Sequence, residues 1–157
     1  MSDTPHQLQL LNATDEEILA VAEQILLKRL NRIGEIRDPA SAGRFFRMRL
    51  AHLESEEFHV MFLDTRHRII AIEMLFRGTI DGAEVHPREV ARMALKLNAA
   101  AVIVAHNHPS GNPEPSAADR AVTAQLKQAL GLLDVRLLDH FVVSATQETS
   151  LAARGWV

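Results

Sequence analysis

The run AAAVIVA at residues 99 to 105 is the sequence feature that most constrains the fold. A short, fully apolar run of this kind is typical of a β-strand that is buried on both faces. Both faces of its sheet then need a covering layer, and helical patterns flank the run on either side. We therefore expect an α/β protein in which helices cover a central sheet.

Helical and extended patterns alternate along the rest of the chain. The predicted elements are helices over 15–30, from Asp38 and Pro39, from Pro87 and over 116–130, a hairpin of strands over 58–64 and 67–76, and strands over 99–105 and 135–143. Thr14 and Glu17 form a capping box for the first helix, Gly34 ends that region, and Gly131 caps the helix over 116–130. At 157 residues the chain fits a single domain.

The chain lacks cysteine, and this restricts its possible metal chemistry. Disulfides, thiolate nucleophiles and cysteine-based zinc sites are excluded, so any metal must be held by nitrogen and oxygen. No apolar run approaches the roughly 20 residues that span a bilayer, and the start MSDTPHQLQLL does not resemble a signal peptide. We expect a cytoplasmic protein without a membrane partner.

A basic run interrupts a chain whose net charge is −3. Seven positive residues stand against Glu35 and Asp38 in this run: Lys28, Arg29, Arg32, Arg37, Arg44, Arg47 and Arg49. Such runs are common on solvated helix faces, and this is the favoured interpretation. An anion-binding surface that contacts nucleic acid is the alternative.

The segment AHNHPSGNPEPSAAD at residues 105 to 119 carries the candidate chemistry. Two histidines at i and i+2 of an extended segment point to the same side, so His106 and His108 can reach one ion. Asp119 lies in the first turn of the next helix, where its carboxylate can turn back toward the loop. Two histidines, an aspartate and an open position form a catalytic zinc site.

The same segment has a purely structural interpretation. Ser116 and Asp119 have the spacing of a capping box, and prolines before a helix are ordinary loop chemistry. A single loop histidine is usually only solvated or hydrogen-bonded. Two histidines at this spacing, opposite an aspartate, favour the metal site.

The spacing His106-x-His108, seven residues, Ser116-x-x-Asp119 resembles the JAMM motif of MPN-domain metalloproteases. The phrases GTIDGAEVHPREV, LNAAAVIVAHNHPSGNPEPSAADR and LLDVRLLDHFVV resemble the bacterial RadC branch of that superfamily. The resemblance implies an MPN domain over 37–157, a three-layer sandwich with a mixed central sheet, after an N-terminal helical segment over 1–36. The residues before Arg37 are too few for the helix-hairpin-helix segment of many RadC-type proteins, so we do not expect one.

The resemblance implies a zinc-dependent hydrolase of peptide or isopeptide bonds. His106, His108 and Asp119 then bind Zn²⁺, Ser116 hydrogen-bonds the oxyanion, and a glutamate acts as the general base. In the wider MPN family this glutamate lies near the start of the first strand, which maps onto Glu57, with Glu56 adjacent. The alternative is Glu73, a lone carboxylate on an otherwise apolar strand face, and it is also a candidate for orienting a ligand.

Two residues of the segment LLDHFVV complete the candidate site. His140 is interpreted as a hydrogen-bonded core histidine and not as a ligand, and Asp139 beside it is a candidate for contact with a ligand. Two other functions compete with catalysis. One is a nucleic-acid-associated module, suggested by the basic run and the traditional link of RadC proteins to DNA repair, and the other is an interaction domain without peptidase activity.

Overall fold

A computed structural model describes residues 12–32, 36, 38–78 and 84–157. The elements in these ranges are helices α1 (Asp15–Arg32), α2 (Pro39–Leu50), α3 (Pro87–Lys96) and α4 (Ala117–Gly131), and strands β1 (Glu57–Leu63), β2 (Ile69–Arg77), β3 (Ala101–Asn107), β4 (Arg136–Val143) and β5 (Glu148–Ser150). None of the helices in these ranges is long and apolar enough to cross a membrane. The expected end of the first helical region at Gly34 lies outside the described residues.

The strands form one mixed sheet in the order β2-β1-β3-β4-β5. Strand β3 lies in the middle, antiparallel to β1 and parallel to β4. All seven residues of β3 are buried, as the apolar run predicts, and the strand extends through His106 to Asn107. Because His106 continues the buried strand, an imidazole is fixed at the carboxyl end of the central strand.

Helices cover both sides of the sheet, which confirms the predicted three-layer α/β fold. On one side, called the α2 face, Phe45 and Phe46 of α2 pack against Met61 and Phe141, and α1 adds Leu26. The opposite side, called the α4 face, is covered by apolar residues of α3 and α4: Val90, Ala94, Leu126 and Leu130. The N-terminal helical segment therefore contacts the core, while the domain boundary after residue 36 stays a prediction.

Local signals explain most of the element ends. Thr14 and Glu17 form both bonds of the capping box, and the Asp38 side chain accepts the N–H of Ala40 at the start of α2. The prediction for Gly131 is wrong in detail, because this glycine is the last residue of α4. The left-handed conformation that leads out of the helix occurs at Asp134, with φ of 58°.

Part of the basic run is paired with acidic side chains. The pairs among its described residues are Arg44 with Asp38, Arg47 with Glu148, and Arg49 with Glu23. Pairing of this kind favours the helix-surface interpretation over an anion-binding surface. Nucleic-acid binding stays an untested prediction.

Candidate metal centre

Three side chains meet where β3 ends and α4 begins. His106 is the second-last residue of β3, His108 directly follows the strand, and Asp119 lies in the first turn of α4. The Nε2 atoms of the two histidines are 3.0 Å apart. Asp119 places Oδ1 3.0 Å from Nε2 of His106 and Oδ2 3.0 Å from Nε2 of His108. The ligand atoms lie within 4.8 Å of one another, so this group can hold one metal ion.

The capping box at the start of α4 is present together with this cluster. Ser116 Oγ accepts the N–H of Asp119 at 3.0 Å, and Asp119 Oδ2 accepts the N–H of Ser116 at 2.8 Å. The structural and the metal-site interpretations are therefore compatible. The cap restricts the rotamer of Asp119 and turns its carboxylate toward the histidines.

The loop after β3 holds His108 through its backbone and its ring. The His108 N–H donates to the carbonyl of Val143 at 2.9 Å, and Nδ1 lies 2.9 Å from the carbonyl oxygen of Asn112. A carbonyl oxygen only accepts, so Nδ1 carries the proton and Nε2 of the neutral ring keeps its lone pair. Gly111, with φ of 88°, closes this turn by donating to the carbonyl of His108. His108 thus presents a ligand atom to the cluster.

The cluster favours a positive charge. Burial alone would raise the pKa of Asp119, but the contacts of its carboxylate with His106 and His108 outweigh burial and hold this pKa well below its usual range. The hydrogen bond to Asp119 in turn raises the pKa of His108, against the effect of burial. The ionised carboxylate of Asp119 thus favours a cation beside it, whether a proton on His108 or a metal ion. A metal ion must therefore compete with this proton.

His106 is held on its other side by buried residues. Its Nδ1 lies 2.8 Å from Nε2 of His140, and Nδ1 of His140 lies 2.6 Å from Oγ1 of Thr123. Both His140 and Thr123 are fully buried. His140 is the hydrogen-bonded core histidine that the sequence predicts, and its partner is a candidate metal ligand.

The structure does not bring Asp139 to the ligands. Its carboxylate accepts hydrogen bonds from the Ser150 hydroxyl at 2.6 Å and the Ala152 N–H at 2.9 Å. Burial raises the pKa of Asp139. Alternation along β4 explains the separation, because consecutive strand residues point to opposite sides of the sheet. Asp139 therefore anchors the turn after β5.

Glu57 does not face the three ligands either. Its carboxylate contacts Nε2 of His59 at 2.8 Å and Arg77 at 2.9 Å, and His59 in turn contacts Arg49 of α2. These partners place Glu57 on the α2 face, whereas Asp119 of α4 is on the other side. Burial raises the pKa of Glu57, but His59 and Arg77 bring it below the ordinary value. The alternation of β1 therefore does not bring Glu57 to the three candidate ligands, and its assignment as the general base stays a prediction.

Glu73 lies farther from the cluster. It is exposed on β2, which is at one end of the described sheet, and its partner in the neighbouring strand is Val60. The face that looked apolar in the sequence is half-exposed, because β2 is covered less than the central strands. A lone carboxylate there faces solvent and needs no metal to explain it.

Of the three glutamates considered in the sequence analysis, Glu56 is the one that lines the cleft beside the cluster. It lines a cleft of about 320 Å³ together with His106 and Asp119, and its charge contributes to the raised pKa of His108. Phe58 is opposite His106 in the sheet and stacks on its ring at 6.1 Å. The residue two positions before Phe58 projects to the same side. Strand alternation anchored on Phe58 is the signal that separates Glu56 from Glu57.

The cleft continues from the cluster along one side of α4. Besides the residues named above, it is lined by Glu84, Val85, Ala118, Ala121, Val122 and Gln125. The small side chains of Ala118 and Ala121 leave room beside the candidate ligands. The cluster is thus accessible to a molecule larger than water.

Comparisons with known proteins agree with this geometry. A family model described as "RadC-like JAB domain" matches residues 36–156. A protein named UPF0758 from Xanthomonas campestris pv. campestris is 61% identical over 139 residues, which cover 88% of this chain and 62% of the relative. UPF0758 proteins from Xanthomonas oryzae pv. oryzae and Xylella fastidiosa are 59% and 58% identical over the same lengths. The chain thus spans 62% of the length of these relatives, and it belongs to the RadC-like JAB domain family.

Proposed function

We propose that the protein is a zinc-dependent hydrolase of peptide or isopeptide bonds. The observation that carries the proposal is the convergence of two imidazole Nε2 atoms and a carboxylate beside an open cleft. Two histidines, one carboxylate and a free position are the donor set of catalytic zinc sites. The cluster also fits a cation electrostatically, since the hydrogen bond to Asp119 raises the pKa of His108.

The residues around the cluster fit hydrolysis of an amide. When bound, zinc polarises a carbonyl group and acidifies water. Glu56, on the same side of the sheet as the ligands, accepts a proton from water and returns it to the leaving amine. Ser116 uses an oxygen lone pair to accept the Asp119 N–H, so its hydroxyl proton is available to donate to an oxyanion.

Neighbouring glutamates offer a matched test of this assignment. Glu56→Gln and Glu57→Gln remove the same charge from opposite sides of β1. With zinc-loaded protein and a panel of fluorogenic peptides and lysine-linked isopeptides, we expect Glu56→Gln to lower kcat by roughly 10² to 10⁴. We expect Glu57→Gln to retain turnover at temperatures where it stays folded.

Zinc content is measured on the same samples. Equal zinc in all three proteins assigns the loss in Glu56→Gln to proton transfer and not to metal binding. Turnover that persists after zinc is removed, or a larger loss in Glu57→Gln than in Glu56→Gln, would refute the proposal.

A further inference from the structure

A buried chain of hydrogen bonds connects α4 to His106 through two other side chains. Thr123 Oγ1 lies 2.6 Å from the carbonyl oxygen of Asp119 and 2.6 Å from Nδ1 of His140, and Nε2 of His140 lies 2.8 Å from Nδ1 of His106. Thr123 and His140 are fully buried, and His106 is 2% exposed. No water is needed to complete the chain.

The direction of each hydrogen bond can be deduced because the chain ends at a backbone carbonyl, which can only accept. The carbonyl of Asp119 has no proton, so the hydroxyl of Thr123 must donate to it. That hydroxyl has a single proton, and the contact with His140 therefore requires a proton on Nδ1 of His140. A fully buried imidazole without a carboxylate partner is neutral, because burying an unpaired charge is costly. Nε2 of His140 is then an acceptor, and His106 must donate to it from Nδ1.

We propose that Thr123 and His140 are positioning residues that fix His106 as the tautomer with a proton on Nδ1, and so turn the lone pair of Nε2 toward the metal. Zinc as the ion rests on the proposed function, whereas the tautomer does not. Hydrogen bonds of this kind hold the ring orientation of a histidine ligand and increase its basicity. The carbonyl of Asn112 fixes the same tautomer at His108, so different groups fix the tautomers of the two histidines.

Thr123→Val tests the hydrogen bond at nearly constant volume. It removes the acceptor of the His140 proton, and we expect zinc affinity to fall roughly 10- to 100-fold in a competition titration. Thr123→Ser is the matched control, because it keeps the hydroxyl and loses a methyl group. We expect the zinc Kd of Thr123→Ser to lie within about threefold of the wild-type value, because Thr123 acts on the metal through its hydrogen bond with His140, and serine keeps that bond.

The histidine tautomers can be measured by NMR, independently of enzymatic activity and of bound metal. Imidazole ¹⁵N shifts are recorded on metal-free protein at about pH 9, where the neutral ring dominates. We expect Nδ1–H at His106 and His140 in the wild type and in Thr123→Ser, and loss of the single tautomer at His106 in Thr123→Val.

Several outcomes would overturn the inference. One is unchanged zinc affinity and unchanged His106 tautomer in Thr123→Val, and another is equal weakening by Val and Ser, which would indicate a packing defect. A wild type with Nε2–H at His106 would also overturn it. Absence of hydrolysis with the expected tautomers and affinities would refute the proposed function alone.

Discussion

The two faces of the sheet carry similar residues at the same end and use them differently. On the α2 face His59 is paired with Glu57, and on the α4 face His106 is paired with Asp119. Both histidines are buried, with 5% and 2% of their surfaces exposed. Residue type and burial therefore do not distinguish the two clusters.

The difference lies in the group that terminates each hydrogen-bond chain, which is a donor on the α2 face and an acceptor on the α4 face. On the α2 face, the Nε–H of Arg49 donates to Nδ1 of His59 at 2.9 Å, and a guanidinium only donates. His59 must then donate from Nε2 to Glu57, whose other oxygen accepts from Arg77. Every acceptor in this cluster is paired with a donor, so the cluster needs no ion.

On the α4 face the chains end at backbone carbonyls. A carbonyl only accepts, so His106 and His108 carry their protons on Nδ1, the ring atom that faces away from Asp119. The Nε2 lone pairs of both rings therefore point toward Asp119. Asp119 Oδ2 accepts the N–H of Ser116, but among the described residues the two imidazole Nε2 atoms and Asp119 Oδ1 converge there without a donor. The comparison teaches that the polarity of the hydrogen-bond chain, and not the residue set, distinguishes a self-contained cluster from one that can hold a metal ion.

Zinc should stabilise the protein, and this is the largest effect that we expect. At free zinc of about 1,000 times Kd, binding to the folded state adds about 4 kcal/mol to the free energy of unfolding. Urea denaturation of metal-free protein with and without zinc measures this gain. Asp119→Asn keeps the side-chain shape and removes the charge, and it should lose most of the gain. An equal gain in that variant would place the zinc elsewhere.

Breaking the α2-face cluster should affect stability and leave metal binding intact. His59→Leu removes one buried and one partly buried hydrogen bond to charged groups. We expect a loss of about 3 kcal/mol from the free energy of unfolding of metal-free protein. Its zinc Kd should equal that of the wild type. A large change in zinc Kd would show that the two clusters are coupled and would break the comparison.

Close packing of α2 against the sheet is a further feature of the α2 face. A Cβ at Gly43 would lie 2.8 Å from Cε1 of Phe141 and 3.1 Å from Cγ of Glu148. We expect Gly43→Ala to lower the free energy of unfolding by about 2 kcal/mol, since overpacking outweighs the better helix propensity of alanine. Urea denaturation that shows a gain in stability would mean that α2 moves away from the sheet easily.

The pH dependence of stability should sharpen the comparison with a smaller effect. Burial lowers the pKa of His59, so the unfolded chain takes up a proton more readily than the folded protein. The contribution of His59 is complete above its ordinary pKa of about 6.5 and is lost as the pH falls toward the folded value, by at most about 1.4 kcal/mol per pH unit. The stability difference between wild type and His59→Leu should therefore shrink from pH 7 to pH 5. A constant difference would contradict a neutral His59.

The sequence predicts the fold and the three candidate ligands because both are encoded locally. The apolar run at 99–105 identifies the central strand, and the pair at His106 and His108 uses the period of an extended chain. Ser116 and Asp119 are found by their capping spacing. Each of these signals lies within a few residues.

The remaining parts of the site depend on contacts between distant residues. Thr123 and His140 are 17 positions apart, and their bond exists only because α4 packs on β4. The choice between Glu56 and Glu57 depends on which side of β1 faces α4, which is fixed by pairing with β3. Glu73 was a misleading signal, since the sequence does not show that β2 lies at the end of the described sheet.

Zinc content per chain tests the central claim most directly. Wild type, Asp119→Asn and His59→Leu are stripped of metal, loaded with zinc, desalted and analysed by elemental mass spectrometry. We predict one zinc ion per chain in the wild type and in His59→Leu, and none in Asp119→Asn, because within the described part of the chain the α4-face cluster is the one group that can hold an ion. A wild type without bound zinc, or zinc retained by Asp119→Asn, would contradict the account.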